Sequence, residues 1–247
     1  MIISPAMMKT FEECQQKYLY VYVDKINLPQ NKYFYEKGKN IHALANYFIK
    51  GYDVSKMEKV LTNEETKIWN YLKSVKYFSY EFVKSEYQLT SKLSNSWIGG
   101  RLDALVKNDE NYYILDYKTG SIPQNAEYDY QTMVYLLSAD KLIKKYNTLN
   151  FVYLDLKNFD EKVITFDENF KKKYKEKIQN TLENIEHIKN THSVMLKNNK
   201  CKCDYYCICE KNLLQQSCYI CSNLMLQKVN KSSKISIFHG FADFYKM

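Results

Sequence analysis

The chain has 247 residues, of which 45% are hydrophobic and 26% charged, a composition typical of globular rather than disordered proteins. Its formal net charge of +8 favours a polyanionic partner. No apolar run approaches the roughly 18 residues that span a bilayer, and the N-terminus lacks the basic-then-apolar pattern of a signal peptide. The sequence therefore predicts a soluble, cytoplasmic protein with no membrane partner.

Three helices are predicted in the first part of the chain. Ser4-Pro5 begins the first, over residues 4–24, because proline suits the first helical position. Periodic apolar residues predict a second helix over 35–50. The spacing of Thr62 and Glu65 is that of a capping box, which predicts a third helix over 62–75.

Strand patterns follow. Segments 81–90, 97–107 and 111–119 are rich in aromatic and β-branched residues, and the turn at 108–111 predicts that the last two form a hairpin. Further along, the sequence predicts a helix over 127–146, strands over 149–156 and 161–166, and a lysine-rich helix over 167–194. This order predicts an α/β protein with one mixed sheet.

The predicted hairpin carries two carboxylates and an ammonium group. Asp116 and Lys118 are two residues apart and so point to one face of a strand, and a neighbouring strand can place Asp103 beside them. On Asp116 and Lys118 alone, an exposed ion pair worth at most about 1 kcal/mol is the simpler interpretation. Asp103 favours a divalent cation instead, because carboxylates so close repel each other and an unpaired one is costly to bury. Two surface aspartates across a hairpin are the other interpretation that these residues leave open.

Four motifs occur in the chain in this order: Gly38-x-x-x-His42, Gly100-x-x-Asp103, Asp116-x-Lys118 and Gln131-x-x-x-Tyr135. Together they make the chain resemble the PD-(D/E)XK nuclease superfamily in its RecB-like branch. The resemblance implies a restriction-endonuclease-like core with a central mixed β-sheet flanked by helices, together with N-terminal helices and a Cys-rich C-terminal segment.

The resemblance also implies a metal site. Asp103 and Asp116, with the backbone carbonyl of Tyr117 and the imidazole of His42, would bind Mg²⁺ or Mn²⁺. Glu86 is a candidate for a further acidic contact.

The remaining implied roles concern the reaction. Lys118 would orient the attacking water or stabilise the phosphorus that it attacks, while Gln131 and Tyr135 would support the site and contact the DNA backbone. The implied catalytic residues are Asp103, Asp116, Lys118, Gln131 and Tyr135.

The cysteines predict a second metal site. Cysteines without an export signal argue against a disulfide framework, and six of the seven crowd the end of the chain at Cys201, Cys203, Cys207, Cys209, Cys218 and Cys221. The Ser-led first helix, with Cys14 and Tyr18, is similar to that of the iron–sulfur members of the branch, including AddB nuclease domains and CRISPR-associated four-cysteine exonucleases.

This similarity implies a 4Fe–4S cluster on Cys14, Cys201, Cys203 and Cys209. Cys207 is a substitute for Cys201, which lies one residue closer to Cys203 than the family spacing, and Gln15 stands where those members carry proline. The residues alone leave two other interpretations open. Four thiolates also hold Zn²⁺, and Cys218-x-x-Cys221 has zinc-ribbon spacing; free thiols are the third interpretation.

The predicted organisation is a nuclease domain over 1–200, a Cys-rich metal-cluster segment over 201–221 packing on the N-terminal helix, and a tail over 222–247 with no assigned role. The predicted function is a divalent-metal-dependent DNA nuclease, exonucleolytic on single strands or DNA ends, in repair or recombination. Its partner would be a helicase or a recombination or CRISPR-adaptation protein. The alternatives are a non-catalytic DNA-end-binding accessory subunit and a zinc-ribbon nucleic-acid-binding protein.

Overall fold

One six-stranded mixed sheet organises the molecule in its computed structural model, which describes residues 2–26, 28, 39–193 and 203–209. The strand order is β1-β3-β4-β5-β6, with β2 also paired to β3. The pairs β2–β3, β3–β4 and β5–β6 are antiparallel, whereas β1–β3 and β4–β5 are parallel. The strands are β1 (Ile2–Ile3), β2 (Glu81–Leu93), β3 (Ser96–Asn108), β4 (Asn111–Lys118), β5 (Thr148–Asp155) and β6 (Asp160–Thr165). The predicted α/β class and the β3–β4 hairpin are confirmed.

Helices cover both faces of this sheet. They are α1 (Pro5–Glu13), α2 (Gln15–Tyr18), α3 (Lys39–Ile49), α4 (Ser55–Glu58), α5 (Asn63–Ser74), α6 (Tyr130–Leu142) and α7 (Glu168–Thr191). Short 3₁₀ turns occur at Lys76–Ser79, Ala126–Tyr128 and Tyr206–Ile208, and a π-helical turn at Leu19–Val23. None of the helices in the described ranges has the length and apolar character needed to cross a membrane.

Two hydrophobic cores lie on opposite faces of the sheet. Helices α1, α6 and α7 bury apolar side chains against one face, with Leu102 and Leu105 among their contacts. Helices α3 and α5 bury theirs against the other, with Ala104 and Val106. Helix α6 is buried nearly all round, because it lies between the sheet and α1 and α7, and it provides the crossover that parallel strands β4 and β5 require.

The first predicted helix is interrupted, which corrects the prediction of a continuous helix over 4–24. Ser4 caps α1, accepting a 3.3 Å hydrogen bond from the amide of Met7, but Cys14 adopts an extended conformation (φ −165°, ψ 109°) that ends α1. The interruption lets the rings of Phe11 and Tyr18 meet edge to face at 5.4 Å. In a continuous helix these two residues would lie on one face but about 10 Å apart along the axis, so the break is what lets their rings touch.

Other boundaries agree more closely. The capping box of α5 is confirmed, since Thr62 Oγ1 accepts from the amide of Glu65 and the Glu65 carboxylate accepts from the amide of Thr62. Helix α6 is shorter than predicted because Asp129 caps it at its start and Ile143 is extended at its end. Strand β1 was not predicted, since two residues carry no periodicity. Residues 29–38, including Gly38, lie outside the described part of the chain.

Candidate active site

The site lies where strands β3 and β4 part. Their pairing stops at Ala104 and Leu115, although β4 continues along β5 as far as Lys118. The side chain of Asp103 takes the place of the next ladder bond, because its Oδ2 accepts a 2.8 Å hydrogen bond from the amide of Tyr117. The two strands therefore separate with Asp103 on one and Asp116 on the other.

An irregularity in β3 turns Asp103 towards α3. Leu102 and Leu105 lie in the same core although they are three residues apart, which regular alternation along a strand does not allow. On the neighbouring strand, Glu86 has a positive φ of 48°, a conformation that is rare for a non-glycine residue and costs on the order of 1–3 kcal/mol. Backbone strain of this kind occurs at functional sites, where surrounding contacts maintain it.

These distortions assemble a group of metal-ligating side chains from three elements. The ligand atoms of His42, Glu86 and Asp103 all lie within 4.8 Å of one another. His42 comes from α3, and its Nδ1 lies 3.4 Å from Asp103 Oδ1 while its Nε2 lies 3.1 Å from the carbonyl oxygen of Tyr117. Burial by itself lowers the pKa of His42, but the hydrogen bond to Asp103 and the charges of the nearby carboxylates outweigh it, so the pKa is raised.

Asp116, Lys118 and Gln131 form a closed triangle of polar contacts. Lys118 Nζ lies 2.9 Å from Asp116 Oδ2 and donates a 2.8 Å hydrogen bond to Gln131 Oε1, while Gln131 Nε2 donates to Asp116 Oδ1. Asp116 is only 5% exposed, so the interpretation of an exposed surface ion pair is wrong. Burial, together with the charge of Asp103, raises the pKa of Asp116 to about 6 against the opposing effect of Lys118.

The arrangement fits a hard divalent cation. It offers carboxylate oxygens from Asp103 and Glu86 and the imidazole of His42, with the carbonyl of Tyr117 beside that ring. The carboxylate of Asp116, a predicted ligand, is not one of this group and contacts Lys118 and Gln131 instead. Hard cations take such oxygen ligands, and a cation near Asp116 would offset the cost of burying its charge.

Tyr135 packs against β3 in the part of that strand that does not pair with β4. Its hydroxyl donates a 2.9 Å hydrogen bond to the carbonyl of Arg101, and its ring lies over Gly100. A Cβ at Gly100 would approach the Tyr135 hydroxyl to 2.7 Å, which explains glycine at this position. These contacts give Tyr135 a supporting role; its predicted contact with DNA stays a prediction, as does that of Gln131.

Sequence reasoning missed Arg101. Its Nε and Nη2 both contact Oε2 of Glu86, beside the metal-ligating group. One signal could have identified it, since it is the only arginine in the chain.

The cysteines are described only in part. Cys14 is buried at the break between α1 and α2, while Cys203 and Cys209 lie in the short segment 203–209. That segment contacts the N-terminal region: the Tyr20 hydroxyl donates to the carbonyl of Ile208 at 3.1 Å, and the Tyr205 hydroxyl donates to that of Ile26 at 2.8 Å. Cys201, Cys218, Cys221 and the side chain of Cys207 lie outside the described residues, so the iron–sulfur and zinc hypotheses stay untested.

Comparisons with known proteins concern the family and the fold. The sequence model of the PD-(D/E)XK nuclease superfamily matches residues 2–210. Among solved structures, a "Putative exonuclease" from Eubacterium rectale is similar with a TM-score of 0.58 and 13% identity, over 90% of this chain and 92% of that chain. At that identity the likeness shows the fold alone. No curated protein sequence matches.

Proposed function

Since the chain belongs to the PD-(D/E)XK nuclease superfamily, we propose that it is a divalent-metal-dependent DNA nuclease that hydrolyses phosphodiester bonds. The observation that carries the proposal is the buried carboxylate of Asp116, held between Lys118 and Gln131 at the point where β3 and β4 part. A carboxylate with a raised pKa beside a lysine and a second aspartate is typical of a catalytic site.

The residues that would hold Mg²⁺ or Mn²⁺ are Asp103, Asp116, His42 and the carbonyl of Tyr117, with Glu86 completing the acidic group. When bound, such an ion neutralises charge on the phosphate and lowers the pKa of a coordinated water. In the metal-free arrangement, His42 spans Asp103 and Tyr117 and keeps these groups together.

Lys118 supplies a positioned hydrogen-bond donor. An ammonium group has three N–H bonds, of which one is donated to Gln131 Oε1, while Asp116 Oδ2 lies 2.9 Å from the nitrogen as an ion pair. A further N–H can be donated to the attacking water or to a phosphoryl oxygen. Gln131 fixes the direction of this group, because its amide bonds both Lys118 and Asp116 and so prevents the lysine from rotating freely.

The finer proposals rest on the resemblance to the RecB-like branch. They are exonucleolytic action on single strands or DNA ends, a role in repair or recombination, and a helicase, recombination or CRISPR-adaptation partner. A 4Fe–4S cluster on Cys14, Cys201, Cys203 and Cys209, with Cys207 in place of Cys201 as a variant, belongs to the same proposal. The contacts of segment 203–209 with Tyr20 and Ile26 support it, since they bring the two ends of the domain together.

Neither alternative explains the site as well. A non-catalytic end-binding subunit has no need for a buried carboxylate held against a lysine, and a zinc-ribbon protein does not account for the mixed sheet.

The decisive experiment incubates the purified protein with end-labelled linear DNA, single- and double-stranded, and with single-stranded RNA of the same sequence. Reactions contain Mn²⁺, Mg²⁺ or EDTA, and circular single-stranded DNA distinguishes exonuclease from endonuclease action. We expect metal-dependent shortening of linear DNA, no reaction in EDTA, and resistance of the circle. Folded, metal-loaded protein that cleaves none of these substrates would overturn the proposed activity.

A further inference from the structure

The single arginine of the chain lies at the candidate active site. Arg101 is on β3, two residues before Asp103, in a protein with 36 basic residues. The other ion pairs found among the described residues use lysine or histidine as the cationic group. Arginine differs from lysine in offering five N–H donors in a planar fork, which matches two oxygens of a phosphate.

One carboxylate links this arginine to the cation site. Both contacts of Arg101 with Glu86 go to Oε2, and Glu86 belongs to the ligand group that it forms with His42 and Asp103. The guanidinium therefore contacts one of the groups that would hold the metal.

The stability of the fold does not explain why the residue paired with Glu86 is an arginine rather than a lysine. The side chain of Arg101 is 65% exposed and that of Glu86 is 25% exposed. An exposed ion pair contributes about 0–1 kcal/mol, and the chain uses lysine for similar pairs, such as Lys107 with Glu81 at 3.1 Å between the same two strands.

The exposed guanidinium has donors left for a ligand. Nε and Nη2 face Glu86, and the remaining N–H groups of the fork are available to an anion arriving from solvent. The carboxylates of Glu86, Asp103 and Asp116 repel the phosphates of a nucleic acid that approaches this site. A fixed positive charge beside them would offset that repulsion.

We propose that Arg101 binds a backbone phosphate of the nucleic-acid strand beside the cation site, and that Glu86 holds its guanidinium in place. The inference rests on the proposed nuclease function and specifies how that site holds its substrate. Contact with the backbone carries no sequence information, so Arg101 strengthens the binding of all sequences alike.

The test measures the binding of a fluorescent single-stranded oligonucleotide by anisotropy, over a range of salt concentrations, in EDTA and in Ca²⁺. Each phosphate contact contributes about 0.7 to the slope of log K against log salt for single strands. We expect Arg101→Gln to weaken binding about 10-fold and to reduce the slope by about that amount. Arg101→Lys should keep the slope but lose several-fold in affinity, because it keeps the charge without the fork.

The matched control is Lys107→Gln. It removes the same charge and breaks an ion pair between the same strands, six residues along β3, or about 20 Å from Arg101. We expect it to bind with nearly the wild-type affinity and slope.

Two results would overturn the inference. One is Arg101→Gln with wild-type affinity and slope; the other is a loss of Mn²⁺ affinity with an unchanged slope, which would make Arg101 only a support for Glu86. If Arg101→Gln does not fold, Arg101→Lys with wild-type affinity overturns the inference equally. A wild-type protein that binds DNA but never cleaves it contradicts the proposed function and leaves the Arg101 result standing.

Discussion

The imidazole Nε2 of His42 lies 3.1 Å from the carbonyl oxygen of Tyr117, although the two residues come from a helix and a strand separated by 75 positions. The rings of the two residues also meet edge to face at 5.4 Å. This contact anchors α3 to the end of β4 and brings a nitrogen donor to a group whose other donor atoms are oxygens. A cation bound by both groups would replace the hydrogen bond between them.

The first prediction concerns this nitrogen ligand. Imidazole suits Mn²⁺ better than Mg²⁺, so His42→Ala should weaken Mn²⁺ binding by at least about 10-fold and Mg²⁺ binding by less. Calorimetric titration of both ions measures the two affinities. His187→Ala, at an exposed position on α7, is the control. An equal loss for both ions would show that His42 does not ligate the metal.

The second prediction concerns Asp116 without metal. Its pKa rises from an ordinary value of 3.8 to about 6 on folding, so the folded protein binds this proton more tightly than the unfolded chain. The contribution of this proton to the free energy of unfolding is fully present below about pH 4 and is lost as the pH rises through about 6. Asp116→Asn, which cannot ionise, should therefore gain stability relative to wild type between pH 4 and pH 7.

Thermal unfolding in EDTA at pH 4, 5, 6 and 7 tests this expectation. The raised pKa of His42 acts on both proteins, so it largely cancels in the difference. With Mn²⁺ present the order should reverse, because only wild type keeps the full ligand set. A difference in stability that stays constant over this pH range in EDTA would contradict the buried-carboxylate interpretation.

The variant Asp116→Ala should fold and lose DNA cleavage.

The third prediction separates Lys118 from the metal ligands. Lys118→Ala should lower kcat by about 10²–10³-fold, the usual effect of removing one positioned donor, while Mn²⁺ affinity changes little. Single-turnover cleavage and a Mn²⁺ titration measure the two quantities. The control is Lys162→Ala, which removes an ammonium paired with Glu127 at 3.3 Å on the surface. If metal affinity and rate fell together, Lys118 would be a structural residue.

The fourth prediction concerns Cys14. If its thiolate holds a cluster together with the C-terminal cysteines, Cys14→Ser should destabilise the whole domain, because the cluster closes a loop that spans nearly all of it. Protein purified without oxygen should be brown and should bleach in air. Colourless protein with stoichiometric zinc would favour the zinc hypothesis.

A second comparison removes the effect of packing, since Cys14 is buried and serine is a poor replacement for it. Unfolding of Cys14→Ser is compared with that of wild type after the cluster has been stripped by chelation and oxidation. The difference in stability between Cys14→Ser and wild type should become small once both proteins have lost the cluster. A difference of unchanged size would assign the effect of Cys14 to packing alone.

Local patterns determined much of this protein. The capping box of α5 and the hairpin turn between β3 and β4 depend on neighbouring residues, so the sequence alone predicted them. The spacing of Asp116 and Lys118 places them on one face of any strand, whatever the rest of the chain does.

The tertiary structure decided what those residues can do. An exposed ion pair and a buried one have the same spacing, and only the tertiary structure buries Asp116 and raises its pKa. The group of His42, Glu86 and Asp103 comes from three elements, and it forms because β2 and β3 depart from regular alternation at Glu86 and Asp103. The interruption at Cys14, which lets the rings of Phe11 and Tyr18 touch, is likewise seen only in the tertiary structure. Burial and backbone strain result from contacts between distant parts of the chain, so a local sequence pattern does not predict them.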